Sequence, residues 1–404
     1  MKIIEGGVCA AKGYKAAGVH CGIRKNKTKR DIALVVSDKK AAAAAVYTTN
    51  LVKGAPLKVT KAHLTDGYAR AIICNSGNAN TCNANGIEIA EGTSALLAQA
   101  LNIAPEDVVV ASTGVIGQAM TMEPFERAVP MLTAALEYDG NDDAAEAIMT
   151  TDTVKKQVAC EFDVGGVSCR FGGMAKGSGM IHPNMATMLV FVTTDCAISP
   201  ELLQKALSAD VKKSFNMVSV DGDTSTNDMV TVLANGMAGN APIEAEGADY
   251  DAFCQALAFV TQSLCRMIAK DGEGATRMIE CVVTGADSEE NAVKAAKSVV
   301  CSSLTKAAIF GADANWGRVL CAIGYSGAQV DVDRIDVQFE SAAGKVSVCK
   351  DGAGVDFSEE TAKKVLLEKE IRILVQLNSG EFEATAWGCD LTYDYVKING
   401  DYRT

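Results

Sequence analysis

A layered α/β or α+β fold is predicted for this 404-residue chain by three observations. Short β-rich apolar runs punctuated by Gly and Asn alternate with amphipathic helical stretches. Hydrophobic residues make up 48% and charged residues 22%, as in ordinary globular proteins. No fixed-period repeat and no Pro- or Ser-rich linker interrupts the pattern. Strands are predicted at residues 32–37, 69–74, 108–111, 188–192 and 278–283. The clearest helix starts at Ser199-Pro200-Glu201, where an N-cap Ser, a first-turn Pro and an acid precede Leu202, Leu203, Ala206 and Leu207. A second is predicted over about 251–270, with Phe253, Leu257, Val260, Leu264 and Met267 on one face. Beyond about residue 281 the texture becomes helix, strand, helix and then several strands, which suggests a soft domain boundary and a C-terminal α/β domain. There, 372–377 and 382–387 alternate as strands do, and Asn378-Ser379-Gly380 reads as a hairpin turn between them.

Composition narrows the function. The 50 acidic side chains exceed the 38 basic ones, for a net charge of −12, and no long Lys/Arg block concentrates positive charge. Nucleic-acid and anionic-membrane roles are therefore disfavoured. Fourteen Cys occur without a C-x-x-C pair, so they read as reduced, mostly buried residues rather than disulfide, zinc or redox sites. Only three His (His20, His63, His182) exist, which argues against metal-hydrolase chemistry and for no metal cofactor. The start MKIIEGGVCAAKGYKAAG lacks an apolar signal core, and no run reaches the roughly eighteen apolar residues of a membrane span. A cytoplasmic enzyme is the expectation.

Two familiar motifs fail on inspection. In Gly172–Gly179 the Lys176 is followed by Gly177, not by the Ser or Thr of a nucleotide phosphate loop. Asp221-Gly222-Asp223-Thr224-Ser225-Thr226-Asn227-Asp228 has Thr226 where a calcium loop needs Gly, although another polar site there stays open. Asn75-Ser76-Gly77-Asn78-Ala79-Asn80 reads as a loop with left-handed backbone. Three further segments stand out: Ser112-Thr113-Gly114-Val115-Ile116-Gly117 after a strand, where backbone NH groups can face an anion; Thr150-Thr151-Asp152-Thr153 after a helix; and Lys176 among glycines, where a cation has close access to a ligand. In Lys176-Gly-Ser-Gly-Met-Ile-His-Pro-Asn-Met-Ala-Thr187-Met-Leu a Pro-Asn turn feeds Thr187 into an apolar strand.

That last segment resembles the processing and active-site segment of the glutamate N-acetyltransferases, also called ornithine acetyltransferases, of arginine biosynthesis. Lys12–Gly18, Asn75–Asn80, Ser112–Gly117, Ala147–Thr153, Asp221–Asp228, Asp271–Thr276, Gly311–Arg318 and Asn399–Thr404 follow in the family's order, across essentially the whole chain. The departures are small: Ala11 and Tyr14 stand where Pro and Phe are typical.

The resemblance implies a sandwich of mixed sheets with helices outside, and self-cleavage between Ala186 and Thr187. That cut would leave an α chain, 1–186, and a β chain whose residues 187–280 complete the catalytic domain and whose residues 281–404 form the C-terminal domain. Thr187 would then be the nucleophile and its new α-amine, with a reference pKa of about 7.7–8, the base, so no histidine is needed. By the same resemblance, Thr113 and Gly114 stabilise the oxyanion, and Thr150, Lys176, Thr187, Glu273, Asn399 and Thr404 bind substrate, with Thr151 and Thr153 as neighbouring alternatives to Thr150. Lys176 suits a substrate carboxylate and Glu273 an amine. The implied reaction carries acetyl from N²-acetyl-L-ornithine to L-glutamate by a ping-pong route, with acetyl-CoA a candidate co-substrate that would make the enzyme bifunctional. The implied particle is a heterotetramer of two α and two β chains. A related self-processing amidase or aminopeptidase, releasing product to water, is the alternative.

Overall fold

The structure is a computed structural model and describes residues 1–182 and 188–400. In chain order its strands are β1 (Lys2–Ile4), β2 (Tyr14–Val19), β3 (Ile32–Tyr47), β4 (Tyr68–Asn75), β5 (Val108–Ser112), β6 (Lys156–Val164), β7 (Val167–Lys176), β8 (Leu189–Thr194), β9 (Val218–Ser219), β10 (Met229–Ala234), β11 (Met278–Ala286), β12 (Asp336–Ser341), β13 (Gly344–Lys350), β14 (Ala353–Gly354), β15 (Glu370–Gln376) and β16 (Phe382–Cys389). One sheet runs β1-β6-β7-β8-β10-β3-β4-β5, with β2 also on β3; the other runs β14-β13-β12-β15-β11-β16-β9. Both sheets are mixed: β8 with β10, β4 with β5, β11 with β15 and β16 with β9 are parallel, and the remaining pairs are antiparallel.

The central strands β8 and β10 are buried along their whole length, as their mostly apolar sequences, broken only by Thr193, Thr194 and Thr231, require. Helix Pro200–Lys213 begins where its cap predicts, with the Ser199 hydroxyl accepting from the Leu202 NH at 3.3 Å. The long helix Ala248–Lys270 starts three residues earlier than its apolar face suggests. It has the length and apolarity of a membrane span, yet it packs on β6 and β7 of the first sheet and β11 and β16 of the second. Phe253, Leu257, Val260, Leu264 and Ile268 on it are fully buried, and Phe253 meets Phe171 at 5.0 Å between ring centroids. Each such side chain contributes about 1.5–3 kcal/mol by leaving water. All fourteen cysteines carry free thiols, nine of them buried.

Two elements differ from the sequence prediction. β3 continues past Ser37 to Tyr47, because Ala42–Tyr47 pairs with β10 on one side while the register against β4 shifts between Val36 and Ala41. Asn378-Ser379-Gly380 is not a tight hairpin turn, since β11 lies between β15 and β16. The NH groups of Ser379 and Gly380 donate to the Gly285 carbonyl at 2.7 and 2.9 Å, carrying the chain over the irregular end of β11. Period-two alternation assigns the faces of a strand and says nothing of its neighbour.

Candidate functional site

At the ends of β4 and β5 two loops fasten to each other. The Thr113 NH donates to the Asn75 carbonyl at 2.9 Å, the Val115 NH to the Gly77 carbonyl at 3.3 Å, and the Ser112 hydroxyl to Asn75 Oδ1 at 2.6 Å. Asn80 and Gly77 adopt the left-handed backbone predicted for the Asn-rich run, at φ 49° and 97°. Gly114, at φ 131°, is pressed so closely on this loop that a Cβ would lie 2.3 Å from the Gly77 carbonyl carbon. Among the described residues nothing accepts from the Gly114 NH, which leaves it available to a ligand beside the Thr113 hydroxyl.

The second wall is built around a buried carboxylate. Asp152 accepts from the Thr150 NH at 3.0 Å, the Gly177 NH at 2.7 Å and Lys156 Nζ at 2.7 Å, and Lys156 also reaches Asp271 at 2.5 Å. Asp271 in turn accepts from the Thr153 NH at 3.0 Å. Burial alone would raise the Asp152 pKa, but the Lys156 and Lys176 ammoniums outweigh it and hold the carboxyl well below the usual carboxylate range. Asp152 thus fixes the Thr150 backbone and the turn after Lys176 together. Lys176, 8% exposed at the end of β7, points its Nζ to within 3.5 Å of the Thr113 hydroxyl. The β7–β8 register sets Lys176 opposite Leu189, two residues after Thr187.

The third wall is acidic. The Glu273 NH donates to the Ser178 carbonyl at 2.8 Å, and the Glu273 carboxylate accepts from Asn399 Nδ2 at 2.7 Å. A Cβ on Gly179 would lie 2.3 Å from the Glu273 carboxyl carbon, so glycine is what admits this side chain. Thr113, Gly114, Thr150, Lys176, Glu273 and Asn399 line one cleft of about 110 Å³, drawn from segments as far apart as β5 and the helix Tyr393–Gly400. Its ammonium and its carboxylate are the groups that an amino acid's two charges require. Ala186, Thr187 and Thr404 lie outside the described residues.

Thr150 and Thr151 both line the cleft, while the Thr153 hydroxyl is taken by Asp271. Thr151, the neighbouring alternative to Thr150 in the sequence reading, has its hydroxyl 2.7 Å from that of Ser178, and what sequence reasoning missed is the bracing by Asp152 and Asn227. Asn227 Nδ2 donates to the Ala79 and Ser112 carbonyls at 2.5 and 3.0 Å, tying the polar 221–228 segment to both loops. The signal for it was the density of polar residues in that segment, which the calcium-loop test did not use up. Asp228, beside Asn227, is fully buried with Oδ2 unpartnered among the described residues, and burial pushes its carboxyl well up. No histidine lines the cleft: His182 Nδ1 sits 3.1 Å from the Ser219 hydroxyl, and burial, aided by Lys297, pushes its pKa down to about 4.

Comparison with known proteins decides the family. The model of the ArgJ family matches residues 15–404. The chain belongs to the ArgJ family. It is 51% identical to the arginine biosynthesis bifunctional protein ArgJ of Caldanaerobacter subterraneus subsp. tengcongensis and 53% identical to that of Symbiobacterium thermophilum, in each case over 100% of both chains. Among solved structures, one chain of the ArgJ protein of Bacillus halodurans is 48% identical with a TM-score of 0.50, and the match covers 52% of this chain and 98% of that one. Membership agrees with the resemblance read from Lys176–Leu189 and with the layered mixed-sheet fold.

Proposed function

We propose that this ArgJ-family enzyme is a glutamate N-acetyltransferase of arginine biosynthesis, moving acetyl from N²-acetyl-L-ornithine to L-glutamate through an ester on Thr187. The observation that carries the reading is the convergence of Thr113, Gly114, Lys176, Glu273 and Asn399 on one cleft beside the strand that Thr187 enters. The Thr187 hydroxyl first attacks the Ala186 carbonyl; the resulting ester is hydrolysed, freeing the Thr187 amine and giving chains 1–186 and 187–404. That amine takes the hydroxyl proton as Thr187 attacks the acetyl carbonyl of acetyl-ornithine, then gives it to the leaving ornithine amine. The glutamate amine removes acetyl by the same steps in reverse. Each tetrahedral oxyanion is met by the Gly114 NH and the Thr113 hydroxyl, where one donor is worth on the order of 10²–10³ in rate.

Lys176 holds the substrate α-carboxylate and Glu273, braced by Asn399, the side-chain amine of ornithine, with Thr150 and Thr404 completing the contacts. The length of the Bacillus halodurans chain supports the cut: matched over 98% of itself, it spans only 52% of this one, the size of one product. The β chain supplies residues 187–280 to the catalytic domain and 281–404 as a C-terminal domain, and two αβ units form a cytoplasmic heterotetramer that needs no metal.

Intact-mass analysis of purified protein tests the first step, with fragments 1–186 and 187–404 expected and Thr187→Ala remaining whole. Transfer of labelled acetyl from acetyl-ornithine to glutamate tests the second. Release of the label as acetate, with none on glutamate, overturns the transferase reading in favour of a hydrolase.

A further inference from the structure

Self-cleavage sets a chemical problem that acetyl transfer does not. In the cleaved enzyme the Thr187 amine serves as base, but in the uncut chain that nitrogen is an amide whose lone pair is tied up in the peptide bond, and it must gain a proton before it can leave. A group beside Thr187 has to take the hydroxyl proton and supply one to the nitrogen. Adjoining the cleft is a recess of about 20 Å³ that shares Thr113, Lys176, Ser225 and Asn227 with it. Met188, bonded directly to Thr187 in the chain, lines the recess, and so does Asp228. Among the described residues that line it, Asp228 is the one carboxylic acid.

The sheet holds Asp228 in that place. The parallel β8–β10 ladder begins with Met229 opposite Leu189, and the Met229 NH donates to the Met188 carbonyl at 2.8 Å, so Asp228 stands beside Met188 at the entry to β8. Its own carbonyl accepts from the Thr48 NH at 3.0 Å. Asp228 is only 3% exposed; Ser225 hydrogen-bonds its carboxyl, yet Oδ2 has no partner among the described residues. A buried oxygen without a partner costs stability and marks a group kept for its chemistry. Burial pushes the carboxyl well up against the pull of Ser225 and the Lys176 ammonium, so it holds a proton to give. Lys176 cannot take its place, because an ammonium donates but has no lone pair with which to accept.

We infer that Asp228 is the proton relay of self-cleavage. The inference rests on the Thr187 self-cleavage reading above. As the Thr187 oxygen bonds to the Ala186 carbonyl carbon, the hydroxyl proton passes to the Asp228 carboxyl, the carboxyl gives a proton to the Thr187 nitrogen, and the carbon–nitrogen bond breaks with its electron pair on nitrogen. The products are the Ala186 ester and a free amine, and Asp228 ends protonated as it began. The nitrogen and hydroxyl oxygen of one threonine are three bonds apart, close enough for a single carboxyl to serve both.

The experiment follows the full chain from its synthesis by cell-free translation, for wild type, Thr187→Ala, Asp228→Asn and Asp228→Ala. Asparagine keeps the shape and neutrality of the acid but has no proton to relay. In Asp228→Asn the fragments 1–186 and 187–404 should appear about 10²–10⁴-fold more slowly than in wild type, the loss of one acid–base group. Its uncut chain should melt with the uncut Thr187→Ala chain, and hydroxylamine, which cuts esters, should release no fragments from it. If Asp228→Asn melts early, Asp228→Ala decides: cleavage restored by formate, which fits the vacated place, supports the relay, and no response to formate overturns it. Cleavage of Asp228→Asn at the wild-type rate overturns the inference and leaves self-cleavage intact. Fragments released from Asp228→Asn by hydroxylamine also overturn it, since the ester would then form without the carboxyl. A wild type that stays whole overturns the self-cleavage reading and the inference together.

Discussion

Gly114 combines two demands that only glycine meets, a φ of 131° and a backbone contact that leaves no space for a Cβ. Gly114→Ala is expected to push the loop off Gly77 and Asn78 and lower kcat for acetyl transfer by about 10²–10³-fold, the loss of one oxyanion donor. Gly166→Ala is the comparison: its φ is 80°, but a Cβ there meets nothing within 4 Å. That variant should lose about 1 kcal/mol from backbone strain and keep its kcat. Steady-state kinetics and a thermal melt on both variants check this, and equal kcat losses would contradict it. Thr113→Val, which keeps the branched shape and removes the hydroxyl, should lower kcat with little change in melting temperature. Of the residues the sequence resemblance named, Thr113, Gly114, Thr150, Lys176, Glu273 and Asn399 line this cleft, while Ala186, Thr187 and Thr404 lie outside the described residues. The resemblance was silent on Asp152 and Asn227, because residues that hold backbone in place carry no local chemical pattern; their partners, Gly177 and Ser112, are distant in sequence.

At the scale of elements, the Thr150–Asp152 segment is an arch between the helix Asn141–Ile148 and β6, and it is held by charge rather than by apolar packing. Asp152→Asn leaves Lys156 in the interior with Asp271 alone, at an expected cost of about 3–5 kcal/mol. The depressed Asp152 pKa gives the sign of the pH effect. Its stabilisation is complete above the unfolded value of about 3.9 and is lost as pH falls toward the folded value. Urea unfolding between pH 7 and pH 3 should show the wild type losing stability over the acid end of this range and the variant losing less. The same contrast between local and distant information explains which elements were legible. The helix Pro200–Lys213 was fixed by its own cap and its proline, and the strand after Thr187 by its apolar run. The pairing of β15 and β16 depended on β11, nearly a hundred residues upstream, so their alternation gave the strands but not the sheet order.

For the whole molecule, the proposed cut falls where the sheet is most interleaved. From edge to edge, β1, β6 and β7 come from residues 1–186, β8 and β10 from 187–404, and β3, β4 and β5 again from 1–186. The second piece therefore supplies the two central strands, and its helix Ala248–Lys270 seats Phe253 against Phe162 and Phe171 of the first. Separating the pieces would break the β7–β8 and β10–β3 ladders and expose that aromatic cluster. The cleaved enzyme should accordingly elute as one particle in native size-exclusion chromatography, release its two chains only in denaturant, and unfold in a single transition followed equally by both chains. Phe253→Ala should lower the stability of this unit by about 3–5 kcal/mol. A cleaved protein whose chains part under native conditions would mean that β8 and β10 do not lie between β7 and β3.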